Sequence, residues 1–175
     1  PTDIIKSDII GNIKSPDKQD EVTERWEELE VQTGRDGFAE LFGHIRMIFA
    51  KEKARRTLLE EFREQVIQKY ESPETLMSTV VEPFAEAYLI AKKCQYLSTT
   101  NAADVNALLK WLNRIENSDW LPSAIKFLAM QGKNADYVLW FFRKLERLAS
   151  FMHICGYDVN QRIERYASVL SELEG

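Results

Sequence analysis

Lys51, Lys53, Arg55, Arg56 and Arg63 are the residues of this chain whose types and spacing best suit a chemical task. Lys and Arg grouped on a firm support can contact nucleic-acid phosphates through charge and, for Arg, through a planar fork of N–H donors. The pattern is not specific, because solvated helices often look the same. Glu52 stands four residues before Arg56, a spacing at which the two can pair on a helix. The set is therefore read as candidate DNA contacts.

Other chemistries find less support. His44, His153, Cys94 and Cys155 do not form a zinc spacing, and His153 and Cys155, two apart on a helix, point in different directions. No Gly-x-Ser-x-Gly, Ser-x-x-Lys or glycine-rich phosphate loop is present. Glu27-Glu28 and Glu60-Glu61 read as solvated helix surface. Cys94 and Cys155 sit in apolar contexts and read as buried free thiols. No catalytic, cofactor-binding or metal-binding residue is expected.

These side chains must be positioned by helices. Gly (7) and Pro (5) are scarce among 175 residues, and strict apolar–polar alternation is nowhere sustained. The chain reads as all-α, a multi-helix bundle of about seven to eight helices with short connections. It is 45% hydrophobic, enough for one helical domain over 1–175, with 1–97 and 98–175 as sub-halves. Helices are expected near 3–13, 17–32, 37–70, 73–96, 102–116, 121–131, 135–155 and 159–174. Ser15-Pro16 and Ser72-Pro73 look like N-cap Ser followed by Pro in the first turn. Asn101 and Asn134 are further N-cap candidates, and Pro122 fits a first turn. Pro83 should kink or split its helix. Gly156 suits a left-handed helix stop, with Asp158 and Gln161 forming the next capping box.

The stretch from Gly34 to Val66 is expected to form one long amphipathic helix. Phe38, Leu41, Phe42, Ile45, Ile48 and Phe49 form its apolar face, and continuing that face meets Glu52, Arg56 and Arg63. Charge on a core face needs partners. The acidic segment 17–30, with seven carboxylates against two cations, could cover the basic segment 43–69, with seven cations against four carboxylates. The 135–155 helix carries Val138, Phe141, Phe142, Leu145, Leu148, Ala149 and Met152 on one face, widened by Tyr137, Trp140, Phe151 and Ile154. It is the expected centre of the C-terminal half. The polar connection at Asn117-Ser118-Asp119 reads as a structural turn.

The net charge of −5 argues weakly against a dedicated nucleic-acid binder. No apolar run reaches the ~18 residues needed to cross a bilayer, so no membrane partner is expected. The start lacks a signal-peptide pattern, and a cytoplasmic protein is the default. The chain opens on Pro1 without an initiator Met, which fits a processed chain or a fragment of a longer one.

Three stretches carry a resemblance. They are Ile4-Ile5-Lys6-Ser7-Asp8-Ile9-Ile10-Gly11, the run from His44 to Arg56, and Leu108 to Ile115 followed by Asn117-Ser118-Asp119-Trp120. Together they resemble the middle of bacterial GmrSD-like proteins, a family of modification-dependent restriction systems. The resemblance implies a non-catalytic helical domain. It would link an N-terminal ParB/sulfiredoxin-like nucleotide-hydrolysing domain to a C-terminal His-Me-finger nuclease domain. Its partners would be those flanking domains, with DNA as a further candidate. The family's Asp-Gly-Gln-Gln-Arg motif and its nuclease motif are absent here, so no catalytic residue carries over. Any nucleotide-dependent endonuclease activity would belong to the parent chain. The alternative is a helical protein–protein scaffold, which exposure of Trp26, Trp120 or Trp140 in an apolar patch would favour.

Overall fold

The structure is a computed structural model that describes every residue from Pro1 to Gly175. It is all-α: 77% of the chain is helical, no strand occurs, and ten α-helical segments, two of them continuous through a π turn, are joined by short connections. The helices are α1 (Thr2–Ile10), α2 (Pro16–Thr33), α3 (Arg35–Ala50), α4 (Leu58–Gln65), α5 (Pro73–Leu76), α6 (Glu82–Lys93), α7 (Ala102–Asn113), α8 (Leu121–Gln131), α9 (Ala135–Ile154) and α10 (Val159–Glu174). A π-helical turn, Met77–Val81, makes α5 and α6 one continuous element. None of the helices is long and apolar enough to cross a membrane.

Local signals place most of these boundaries. Ser72 Oγ accepts the Thr75 N–H, and Asn134 Oδ1 accepts the Tyr137 N–H, as N-caps should. Ser15 precedes Pro16 at the start of α2 without a side-chain cap bond. Gly156 takes φ +68° after α9, and the Gly156 and Tyr157 N–H groups donate to the His153 and Met152 carbonyls. Those two bonds are a Schellman ending. Asp158 and Gln161 then form the capping box of α10. Pro83 acts through the turn before it. Without an N–H it cannot extend the α-helical ladder backwards, and the Glu82 N–H reaches the Met77 carbonyl across a π turn.

The expected helix over 37–70 is instead two. Lys51 turns left-handed (φ +53°), ending α3, and the chain is non-helical to Thr57. Thr57 Oγ1 accepts the Glu60 N–H and the Glu60 carboxylate accepts the Thr57 N–H, a complete capping box that starts α4.

Two compact units follow from the packing. The first comprises 1–50 and 54–85. In it, α2 packs on α3 through an aromatic cluster: Trp26 stacks on Phe42 at 5.3 Å and meets Phe38 edge-on at 5.1 Å. Phe62 of α4 closes on Phe42 at 5.2 Å. Ile5 and Ile9 of α1 complete this dry core. The second unit comprises 51–53 and 86–175, so the division falls inside α6. Here α9 is central, packing on α7 and α8 through Val138, Phe141, Phe142, Leu145, Ala149 and Met152. Asn106 acts as a peptide mimic, accepting from the Tyr96 N–H (2.8 Å) and donating to the Tyr96 carbonyl (3.0 Å). Tyr137, Trp140, Phe151 and Ile154 do not widen the buried face of α9; all four are exposed, because α7 and α8 cover only its other side.

Candidate functional site

The five cations fall in different units. Lys51 and Lys53 belong to the second, where they reach opposite ends of α10. Lys51 Nζ pairs with Glu174 at 2.9 Å, and Lys53 Nζ donates to Asn160 Oδ1 at 2.9 Å. Arg55, Arg56 and Arg63 belong to the first unit, around α4. The Arg55 N–H donates to Glu61 Oε1 at 3.3 Å. Arg56 pairs with Glu64, whose hydrogen bond and charge raise the arginine pKa further. Arg63 pairs with Asp8 of α1, donating from Nη2 at 3.1 Å, and this hydrogen bond raises its pKa too.

Lys51, Arg56 and Arg63 are thus already answered by carboxylates. Lys53 is met by a neutral amide rather than a carboxylate and stands exposed. Glu52 and Arg56 are not neighbours on a helix, since both lie in the non-helical 51–57 segment. Nor does the acidic α2 answer Arg56 and Arg63; α4 and α1 do, while Glu27 of α2 pairs with Lys6 at 3.1 Å.

The structure draws attention to a pair that composition alone does not reveal. Arg46 and Glu61 are both buried, with Nη1 and Oε1 3.4 Å apart. Glu61 Oε1 also receives the Arg55 N–H, so a single carboxylate oxygen ties α3, α4 and the turn between them. Glu61 Oε2 is buried without a hydrogen-bond partner. The expectation of two solvated carboxylates therefore holds for Glu60, which caps α4, and fails for Glu61. Glu61 lies one residue on, on the face of α4 that turns to α3. The Thr57 hydroxyl bond holds the Glu60 carboxyl below its usual pKa.

His44 rests against Glu40 at 3.3 Å in the first unit, whereas Cys94, His153 and Cys155 lie in the second. Cys155 is exposed rather than buried, because it stands at the C-cap of α9 where the chain turns away from the core. Cys94 is part-buried and left-handed (φ +54°) at the end of α6.

Within Asn117–Trp120, Asn117 Oδ1 accepts the Asp119 N–H at 3.2 Å. Asp119 receives Arg162 Nε at 2.8 Å, and Arg162 Nη1 donates to the Tyr157 carbonyl at 2.8 Å. The connection is a structural clamp on α10. Asn113 similarly donates to the Ala91 carbonyl at 3.0 Å. Trp26 and Trp120 are core residues at 1% exposure each, and Trp140 is 50% exposed. A cleft of about 1050 Å³ lies between Gln95–Thr100 and the α8–α9 turn of the second unit. Its hydroxyls, amides and Lys133 can bind polar groups, and its lining includes no His or Cys.

Set against known protein families, curated proteins and solved structures, the chain matches none.

Proposed function

We propose that this chain is the helical connecting domain of a GmrSD-like bacterial restriction protein, set between a nucleotide-hydrolysing domain and a nuclease domain. One observation supports the reading most. The residues that carry the resemblance spend their side chains on joining helices: Arg46 on Glu61, Asn113 on the Ala91 carbonyl, Asp119 on Arg162. A domain that transmits force or position needs such rigid joints more than it needs a cleft. The parent coding sequence tests this directly. An Asp-Gly-Gln-Gln-Arg motif upstream and a His-Me-finger motif downstream are expected, and absence of both overturns the reading.

DNA contact is the second component of the proposal, and Lys53 leads it. Binding to a short duplex should weaken with salt at about −0.9 in log K per log salt for each phosphate contact. Charge-reversed Arg55 and Arg56 that bind as well as wild type would remove those two from the interface.

A scaffold role is the second reading. Phe151 and Ile154, one turn apart at the end of α9, are 53% and 82% exposed. Concentration-dependent association that Ile154→Glu abolishes is its test; a monomer at high concentration counts against it.

A further inference from the structure

The outer face of α9 combines an open aromatic ring with cations that have no partner. Tyr137 stacks on Trp140 at 5.2 Å with an interplanar angle of 23°. Tyr137 is itself held edge-on by Phe127 at 5.1 Å, and Phe127 stacks on Phe141 at 3.9 Å. Trp140 is therefore the outermost ring of a ladder rooted in the core, and little conformational freedom remains to be lost when something stacks on it.

Beyond Tyr137, no ring or cation stacks on Trp140, which is 50% exposed. Trp111 offers an internal comparison: Arg114, three residues on, lies over the Trp111 ring at 4.6 Å. Arg143 stands at the same spacing from Trp140, yet no cation covers that ring. Arg143, Lys144, Arg147 and Arg165 are all exposed, and none makes an ion pair or hydrogen bond. Arg143 and Lys144, three and four residues on, line the same groove as Trp140.

Two grooves meet at this residue. One, about 330 Å³, runs past Trp140 along Arg143, Lys144 and Arg147. The other, about 390 Å³, lies between α9 and α10 with Lys144 and Arg165 lining it. The acidic groups lining them are Asp136, which accepts from Asn101 Nδ2 at 2.8 Å, and Glu172, which accepts from Ser168 Oγ at 3.5 Å. Four cations against two carboxylates leave the face positive on a chain of net charge −5.

We propose that this face binds single-stranded nucleic acid, with a base stacked on Trp140 and backbone phosphates on Arg143, Lys144, Arg147 and Arg165. An aromatic platform beside unpaired cations suits a flexible strand, whose bases are free to stack. A duplex keeps its bases within its own stack and offers the ring nothing. The site uses none of residues 51–63 and stands whether or not the chain belongs to a restriction protein.

Fluorescence anisotropy with short labelled oligo-dT and oligo-U tests it, on the whole chain at low salt. Saturable binding of either strand is expected, with a blunt duplex of equal length binding more weakly. A preference between the two strands identifies DNA or RNA as the source of the same chemistry. Trp140→Leu keeps an apolar side chain but no ring, and should weaken binding roughly 5- to 150-fold, the loss of one stacked base. Trp140→Phe should retain most of the affinity. Arg143→Gln with Arg147→Gln should make the salt dependence shallower by about 1.4 in log K per log salt. Lys14→Glu, at an exposed cation of the first unit that neither binding surface uses, should change nothing. Circular-dichroism melts that match wild type establish that each variant is folded. The proposal is overturned by absence of binding to both strands, by a duplex whose binding Trp140→Leu weakens as much as it weakens that of the single strands, or by Trp140→Leu binding the single strands like wild type. Competition by poly-glutamate at equal charge would also overturn it and make the face an acidic-protein surface.

Discussion

Arg46 and Glu61 illustrate how a charge becomes structural once water is removed from both partners. Removing one partner strands the other in a dry interior, whereas replacing both with apolar groups removes the problem along with the pair. Glu61→Gln or Arg46→Met alone should destabilise the protein by about 3–5 kcal/mol. Arg46→Met combined with Glu61→Leu should cost far less than the two singles added. Urea denaturation of the three variants measures it, and simple additivity would argue against a coupled pair. Tyr166 gives a pH dependence. Burial first, and then the Asp119 charge, raise its phenol above the ordinary value of 10.0. The folded state therefore holds the proton while the unfolded chain releases it near that value. The associated stability is complete below about pH 10 and is lost progressively as pH rises beyond it. Tyr166→Phe should flatten the fall in urea midpoint between about pH 9 and 11.

Among the elements, the break between α3 and α4 departs most from what helical periodicity predicts. Lys51 to Arg56 contains no Gly or Pro, and good helix formers on both sides suggested that α3 would run on. The signal against this was present in Thr57-Leu58-Leu59-Glu60, a capping box ahead of Phe62. Thr57→Ala should cost about 1 kcal/mol and fray the start of α4, with faster amide hydrogen exchange at Glu60 and Glu61 as the local readout. Cys94 is a case in the other direction. It holds a left-handed φ at the end of α6, a conformation that suits glycine and costs other residues about 1 kcal/mol or more. Cys94→Gly should raise the melting temperature, and a lower one would mean that the sulfur contact with Asn113 matters more than the backbone.

Over the whole molecule, local ion pairing decides how much of the 51–63 charge reaches a distant ligand. Arg56 and Arg63 spend theirs on Glu64 and Asp8. Neutralising those two acids should release both cations. Glu64→Gln with Asp8→Asn is therefore expected to tighten duplex binding and to steepen its salt dependence by about 1.8 in log K per log salt. Unchanged binding would show that the first unit does not touch DNA through these arginines. Wild-type affinity for duplex should correspondingly be modest and lost readily as salt rises.

The all-α class, the helix stop at Gly156 and most of the helix starts were set by the sequence itself. Ser72, Asn134, Gly156, Asp158 and Gln161 act on backbone groups within a few residues, so their geometry is decided locally. Pro83 likewise disturbs its own turn. Tertiary structure alone decided which tryptophans are core and which is a surface, because exposure depends on helices far away in the chain. Trp26 is buried by Phe38 and Phe42, whereas Trp140 stays 50% exposed. The same holds for the charges. Asp8 lies 55 residues from Arg63, and no helical periodicity could have named it as the partner. Glu60 and Glu61 are adjacent and chemically alike; one caps a helix in water and the other is buried against Arg46, because α3 packs on one face of α4 only.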